Sequence, residues 1–256
     1  MFIEHGDLFL KFFNLGDSLE SLAPKYIEAL DRIFSETGVS TGGRVLDLCC
    51  SSGRYALNLA KKGFNVTGVD ISPIAIKQAK KTAEKTNLKN RVEFLVGDAR
   101  KVSKLLEKKE SFDAIINTGT SIGYYDDDTD KSIIRQLNKL ASSNGVLVID
   151  VANRDYMIRH YQPVNINKLG DYELHEHRKL DLQESRVENT WEFYQKNEGS
   201  LKHLVTVPVC SRAYSLHELV KLFEKTGWKY CNSYGNFELE PLTMDTERII
   251  IVGKKV

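Results

Sequence analysis

Cysteine is scarce in this 256-residue chain, and what there is of it is not arranged for metal chemistry. Cys49, Cys50, Cys210 and Cys231 form no Cys-x-x-Cys pair and no Cys/His spacing suited to zinc, so no metal is expected. Reduced thiols of a cytoplasmic protein are the reading they favour. Long apolar runs are also missing: no segment approaches the roughly 18 residues that would cross a membrane. The first residues, Met1-Phe-Ile-Glu-His-Gly-Asp7, carry acids where a signal peptide needs positive charge and then an apolar stretch. Charge of one sign is lacking too. A net charge of +1 gives no whole-molecule field toward nucleic acid or an anionic membrane. No internal repeat and no low-complexity segment interrupts the chain.

What remains is an ordinary globular composition, 41% hydrophobic and 28% charged, with enough length to bury a sizeable core. Ile27, Leu30, Ile33 and Phe34 follow helical spacing behind Pro24, predicting a helix that starts there. Val45, Leu46 and Leu48 then read as a short buried strand, and Ala56, Leu57 and Ala60 as the stripe of a helix stopped by Gly63. A second strand runs from Asn65 to Asp70, and Ser72-Pro73 opens the next helix, with Ile76, Ala79 and Ala83 inward. Strands at Val92–Val96, Phe112–Asn117 and Val146–Val151 follow. The helix of Ile133, Ile134, Leu137 and Leu140 is expected to end at Asn144-Gly145. Strands alternating with helices over residues 44–151 predict a parallel sheet with right-handed crossovers.

After Asn153 the rhythm changes. Residues 171–209 hold strand-like runs without helices between them, and Val187, Asn189, Trp191 and Phe193 share one face. An antiparallel insertion, serving as a lid or substrate platform, is expected at 153–210. Ser215-Leu-His-Glu218 is a capping box that opens a last helix, stopped near Gly227. Trp228 to Tyr234 and Arg248 to Val252 supply two more strands.

The first strand runs into the turn Asp47-Leu-Cys-Cys-Ser-Ser-Gly53, which has one glycine where a dinucleotide fingerprint has three. Cys49 and Ser51 would crowd a pyrophosphate, so NAD and FAD are disfavoured. A ligand with a small amino-acid tail suits the turn better. Asp70, at the end of the second strand, stands where a carboxylate takes a ribose diol. Capping of the next helix is the alternative duty for that acid, and Ser72 already fits it.

With these residues in view the chain resembles the class I S-adenosylmethionine (SAM) dependent methyltransferases, in particular the small-molecule-type bacterial and archaeal members. The likeness covers nearly the whole chain. Asp47–Gly53 matches the first motif of that family, Gly68-Val-Asp70 the acidic second, Gly97-Asp98-Ala99 the adenine segment, Phe112–Asn117 the fourth strand and Ser143–Asp150 the fifth. Thr120–Tyr125 and Arg212–Leu219 also stand in matching places.

The resemblance implies an α/β fold of three layers with a Rossmann-like sheet of seven strands, order 3-2-1-4-5-7-6, the last strand antiparallel. Residues 1–152 and 211–256 would form the SAM-binding domain, with 1–40 as an N-terminal helical lid and the 153–210 insertion beside it. It also implies roles. Asp47 would anchor the turn and the methionine ammonium, while Cys49 and Gly53 would lie along the methionine portion. Asp70 would take the ribose and Ile71 would pack on adenine. Asp98 and the Ala99 amide would bind the adenine edge, and Asn117 and Thr118 would border the sulfonium. Cys49 reads equally well as a small buried residue. His203 and Arg212 fall where resembling enzymes place a His and an Arg, and are the candidate catalytic pair. Tyr124 joins them as a pocket aromatic; for Tyr124 and Tyr125, core packing is the other reading.

The fourth-strand segment Asn117-Thr-Gly-Thr120 lacks the Asn/Asp-Pro-Pro-aromatic run that holds a nucleobase amine, and no Pro-Cys suggests a cytosine nucleophile. The lysines at 77, 80, 81 and 85, and at 101, 104, 108 and 109, read as solvated faces. Asp126-Asp-Asp-Thr-Asp130 reads as a helix start rather than a calcium loop. The expected function is methyl transfer from SAM, leaving S-adenosylhomocysteine (SAH), to a nitrogen or oxygen of a small molecule. The N-terminal residues Phe2, Ile3 and Leu8 to Phe13, together with the insertion, are expected to close over the site. An RNA or protein methyltransferase and a non-catalytic SAM-binding module are the alternatives; no membrane partner is expected.

Overall fold

A computed structural model describes residues 3–15, 17–109, 111–197 and 199–256, without the side chains of 13–22. Seven strands form the main sheet: β1 (Arg44–Leu48), β2 (Asn65–Asp70), β3 (Val92–Val96), β4 (Phe112–Asn117), β5 (Ala141–Ala152), β10 (Trp228–Tyr234) and β11 (Arg248–Lys255). Their order is β10-β11-β5-β4-β1-β2-β3; β1 to β5 are parallel and β11 runs antiparallel to both its neighbours. This is the expected 3-2-1-4-5-7-6 arrangement.

Helices cover both faces. On one, α2 (Asp17–Thr37), α3 (Arg54–Lys61) and α4 (Pro73–Lys85) bury Tyr26, Leu30, Phe34, Leu59 and Ala79 against Val45, Phe94 and Val148. On the other, α5 (Val102–Leu105), α6 (Asp127–Leu140) and α8 (Leu216–Glu224) bury Leu137, Leu219 and Phe223 against Leu46, Ile115 and Ile149. The boundaries follow local chemistry. Ser72 Oγ accepts from the Ala75 amide at the start of α4, and Ser215 and Glu218 form a reciprocal capping box at α8.

Two boundaries differ from expectation. Pro24 lies inside α2 rather than opening it, although a proline there removes a ladder hydrogen bond and crowds the carbonyl four residues back. Asn144-Gly145 does not end α6, which stops at Leu140. The pair instead lies inside β5, in an irregular stretch with Asn144 at φ 63° where the register against β4 shifts between Phe112 and Ala114.

A second sheet follows α7 (Arg154–Arg159): β6 (Val164–Leu169), β7 (Tyr172–Asp181), β8 (Arg186–Asn197) and β9 (Ser200–Arg212), antiparallel in that order. Its inner face carries Leu174, Phe193, Val207 and Val209, which pack on Phe9 and Phe12 of α1 (Gly6–Leu15). Phe193 meets those two rings edge-on, at centroid distances of 5.3 and 5.6 Å. These contacts lay the N-terminal helix across the carboxyl ends of the main strands. Of the residues expected to close there, Phe9 and Leu10 line the central cavity and Ile3 is exposed. Phe2 and the Phe13 side chain lie outside the described residues.

Candidate active site

A cavity of about 850 Å³ opens where β1, β2, β4 and β5 end, under α1 and Trp191 of β8. That volume is in the upper part of the roughly 300–1,000 Å³ range of small-molecule sites. The turn after β1 forms one wall. The amides of Cys49 and Cys50 donate to Val69 O (2.7 and 3.1 Å), Ser51 N to Asp70 Oδ2 (2.8 Å) and Gly53 N to Cys50 O (2.8 Å). These amides are spent on protein acceptors, so they are not available to cradle a phosphate. Cys49, Ser51 and Gly53 all adopt left-handed backbone, with φ 65°, 49° and 80°. The turn therefore keeps a conformation that glycine would take freely, with side chains at two of the three positions.

Gly53 itself does not touch the cavity. A Cβ there would come within 2.5 Å of Phe94 Cζ, so the glycine is required by the aromatic ring beneath the turn. Asp47 also lies behind the wall. It is fully buried, and neither carboxylate oxygen makes a hydrogen bond. Burial pushes its carboxyl up to about 7. Cys49 is half-buried, lining the cavity while packing against the second core, and burial drives its thiol far above the usual range.

Asp70 accepts from Ser51 N and from Ser72 N (2.8 Å each), which fixes its carboxylate at the cavity wall. Burial raises its pKa, and the amides of Ser72, Ser51 and Ile71 pull the other way. Ile71, Asp98, Ala99, Asn117 and Thr118 line the same cavity, so all but Asp47 and Gly53 of the expected cofactor residues are brought together on its wall. Asp98 is gripped by Arg100, whose Nη2 lies 2.6 Å from Oδ2, and the Arg100 side-chain hydrogen bond holds its carboxyl below the usual range. Arg100 in turn stacks over Tyr125 at 4.8 Å. Asn117 is buried; its Nδ2 donates to Leu48 O (3.0 Å), while its Oδ1 has no partner.

Of the three catalytic candidates, only Tyr124 lines the cavity, and burial pushes its phenol up to about 12. It stays protonated at neutral pH and can donate but not abstract a proton. His203 lies on exposed β9, bonded to Thr206 Oγ1 (2.8 Å) and edge-on to Tyr194. Arg212 is held by Glu218 (2.5 Å) and Asp127 (3.3 Å) and donates to Ser185 O, so it clamps the end of β9 onto the starts of α6 and α8. The structure brings neither to the cavity. The acidic run serves the helix start: Asp126 caps α6 through Thr129 N, Asp127 takes Arg212, and buried Asp130 accepts from Tyr214.

Arg248, a cavity residue, escaped the sequence reading, which took it only as a strand start. Arg248 Nε donates to Asp150 Oδ1 (2.7 Å) across β11 and β5, and Gly119 N donates to Asp150 Oδ2 (3.0 Å).

Asp47 yields a pH prediction. A carboxyl raised from an ordinary value near 4 to about 7 favours the fold in its protonated form. Its contribution is complete below about pH 4 and is lost as pH rises through 7, by about 3–4 kcal/mol in the apo protein. Asp130, pushed up to about 6 by burial, acts in the same direction. Urea unfolding of the ligand-free chain at pH 5 and pH 8 should show the lower midpoint at pH 8. Asp47→Asn should remove most of that difference; an unchanged difference contradicts the assignment.

The methyltransferase domain family matches residues 40–207, and the chain belongs to it. Its class is that of the SAM-dependent methyltransferases. Among particular relatives, a putative ribosomal RNA large subunit methyltransferase of Methanocaldococcus jannaschii is 36% identical over 129 residues, 50% of this chain and 32% of that protein. The chain thus spans about a third of that relative's length. A putative methyltransferase of Geobacillus sp. is 26% identical over 83% of this chain and 84% of its own. In fold, the chain is similar to a SAM-dependent methyltransferase of Clostridium acetobutylicum, with TM-score 0.81 at 19% identity, covering 97% of this chain and 99% of that one.

Proposed function

We propose that this chain transfers the methyl group of SAM to a nitrogen or oxygen of a small molecule, in the cytoplasm, with SAH as product. The observation that carries the reading is the pairing of a carboxylate-lined cofactor wall with a covered, laterally extended cavity. Asp70 and the unpaired Asn117 Oδ1 present oxygen acceptors on that wall, which suit a sulfonium and an ammonium, while the turn amides that a pyrophosphate would need are already bonded. Asp70 would hold the ribose hydroxyls, Ile71 and Ala99 the adenine, and Cys49 the methionine chain, with Asp47 acting from beneath. When bound, SAM supplies an electrophilic methyl; the acceptor lone pair forms the new bond, the pair of the broken carbon–sulfur bond stays on sulfur, and the acceptor proton leaves to water.

The protein's own part is positioning, which can supply about 7–11 kcal/mol of the barrier. Asn117, locked by Leu48 O, and Thr118 would border the reacting centre. Tyr124 would orient the acceptor as a donor. Residues 1–40 and the 153–210 insertion would act as the lid over the 1–152 and 211–256 domain, with α1 and Trp191 excluding water. Four free thiols suit a reducing compartment, and among the described residues no helix is long and apolar enough to cross a membrane. Support for an amine acceptor comes from a fold neighbour, an amino pentose methyltransferase of Micromonospora echinaspora with SAM bound (TM-score 0.66, 13% identity).

RNA methylation is the second reading, favoured by the ribosomal RNA methyltransferases among the relatives. Incubation with labelled SAM and separate pools of metabolites, RNA and protein tests the choice. Label in the metabolite fraction is expected; label confined to RNA would overturn it.

A further inference from the structure

Beyond Asn117 the cavity extends over β5 and β11, away from the cofactor wall. Arg248 sits there, two strand spacings, or about 10 Å, across the sheet from β4. Asp150 fixes its Nε and Nη2 is sealed from solvent, while 24% of the side chain stays exposed. That exposed edge of the guanidinium can donate to an arriving oxygen. Tyr55 and Phe237 line the same lobe, each with its ring 4.7 Å from that of Tyr26. At the mouth stand Glu240 and Glu247, whose side-chain hydrogen-bond partners, Asn236 and Tyr156, are neutral. Asp150 already balances Arg248; Arg54 also lines the cavity beside Tyr55, and Glu240 and Glu247 leave the mouth acidic.

Resting on the proposed methyl transfer, we propose that this lobe is the acceptor subsite, and that it selects a small cationic amine bearing a hydroxyl or carboxylate oxygen. The oxygen accepts from the exposed edge of the Arg248 guanidinium, and the apolar face of the molecule lies on Tyr55 and Phe237. Glu240 and Glu247 draw the ammonium in at the mouth, where it gives its proton to water before its nitrogen reaches the methyl. The same carboxylates repel a polyanion such as RNA. Arg248 is thereby a specificity residue for the acceptor and has no part in holding SAM.

The test uses the full chain, labelled SAM and four acceptors: an amino sugar, glycine, cyclohexylamine and total RNA. The amino sugar and glycine are the two sources of the shared chemistry, and the one more rapidly methylated identifies which is used. Arg248→Lys keeps the charge opposite Asp150 but removes the planar guanidinium edge. It should raise KM for the preferred oxygen-bearing amine at least tenfold, with a much smaller change in kcat. SAM affinity by titration and the KM for cyclohexylamine should move less than threefold. Glu240→Gln with Glu247→Gln should raise KM for all three amines. An Arg248→Lys enzyme with unchanged KM, or with KM raised equally for cyclohexylamine, overturns the inference and leaves methyl transfer to small molecules standing. SAM binding with label only in RNA, or with no transfer at all, overturns both.

Discussion

Replacing Asp70 by Ala should weaken SAM binding at least 100-fold, measured by calorimetric titration. The carboxylate stands at the end of β2 on the cavity wall, with its two oxygens aligned by the Ser51 and Ser72 amides at 2.8 Å. Each oxygen has a lone pair left for a hydroxyl, and a hydrogen bond to a charged group contributes about 1.5–3 kcal/mol. Two such bonds correspond to about 3 kcal/mol or more, hence the two decades in affinity. Part of the loss comes from the turn, since Ser51, already in left-handed backbone, would lose its acceptor. Asp70→Asn separates the parts. It keeps one acceptor oxygen and should lose about tenfold. Affinity within threefold of the parent in Asp70→Ala would mean that the ribose is held elsewhere.

The second large effect is on stability. Gly53→Ala should destabilise the fold by about 2–5 kcal/mol, read from urea unfolding. At φ 80° an alanine costs about 1–2 kcal/mol. Its Cβ would also press on Phe94 Cζ and Cε1 at 2.5 and 2.6 Å and on Ala79 at 3.2 Å. Phe94 is fully buried and cannot swing away, so overpacking adds about 1–3 kcal/mol. Combining Gly53→Ala with Phe94→Leu should recover the packing part but not the backbone part. A loss below about 0.5 kcal/mol in the single variant would show that the turn is more plastic than its strained dihedrals indicate.

Asp70 was legible as a wall residue because its signal is local, whereas Gly53, expected along the methionine chain, serves the Phe94 ring instead. A buried strand, a turn and an acid 23 positions after Asp47 place that carboxylate on the cavity wall. The alternation of strands and helices likewise made the main sheet readable. The Arg248 side of the cavity was hidden for the opposite reason. Arg248 acquires its meaning only from Asp150, 98 residues earlier, and from a sheet order that places β11 beside β5. Helix α7 is too short for periodicity to show. In β6 the alternation is inverted: Val164 and Ile166 are exposed, while Asn165 and Asn167 both donate to Glu176, a carboxylate with little exposure. His203 and Arg212 were placed by position relative to a helix start. That spacing is real, but Arg212 is consumed by Asp127 and Glu218, because a helix start gathers carboxylates that attract an arginine.

The reading as a whole is tested most directly by incubating the chain with SAM carrying a carbon-13 methyl, together with a metabolite extract and RNA, and recording the carbon spectrum. Methyl transfer to a small amine predicts a new sharp resonance in the N-methyl region that passes a low-molecular-weight filter. A methyl signal retained with the RNA, or new resonances only in the O-methyl or C-methyl regions, would contradict the lobe at Arg248 as the acceptor site.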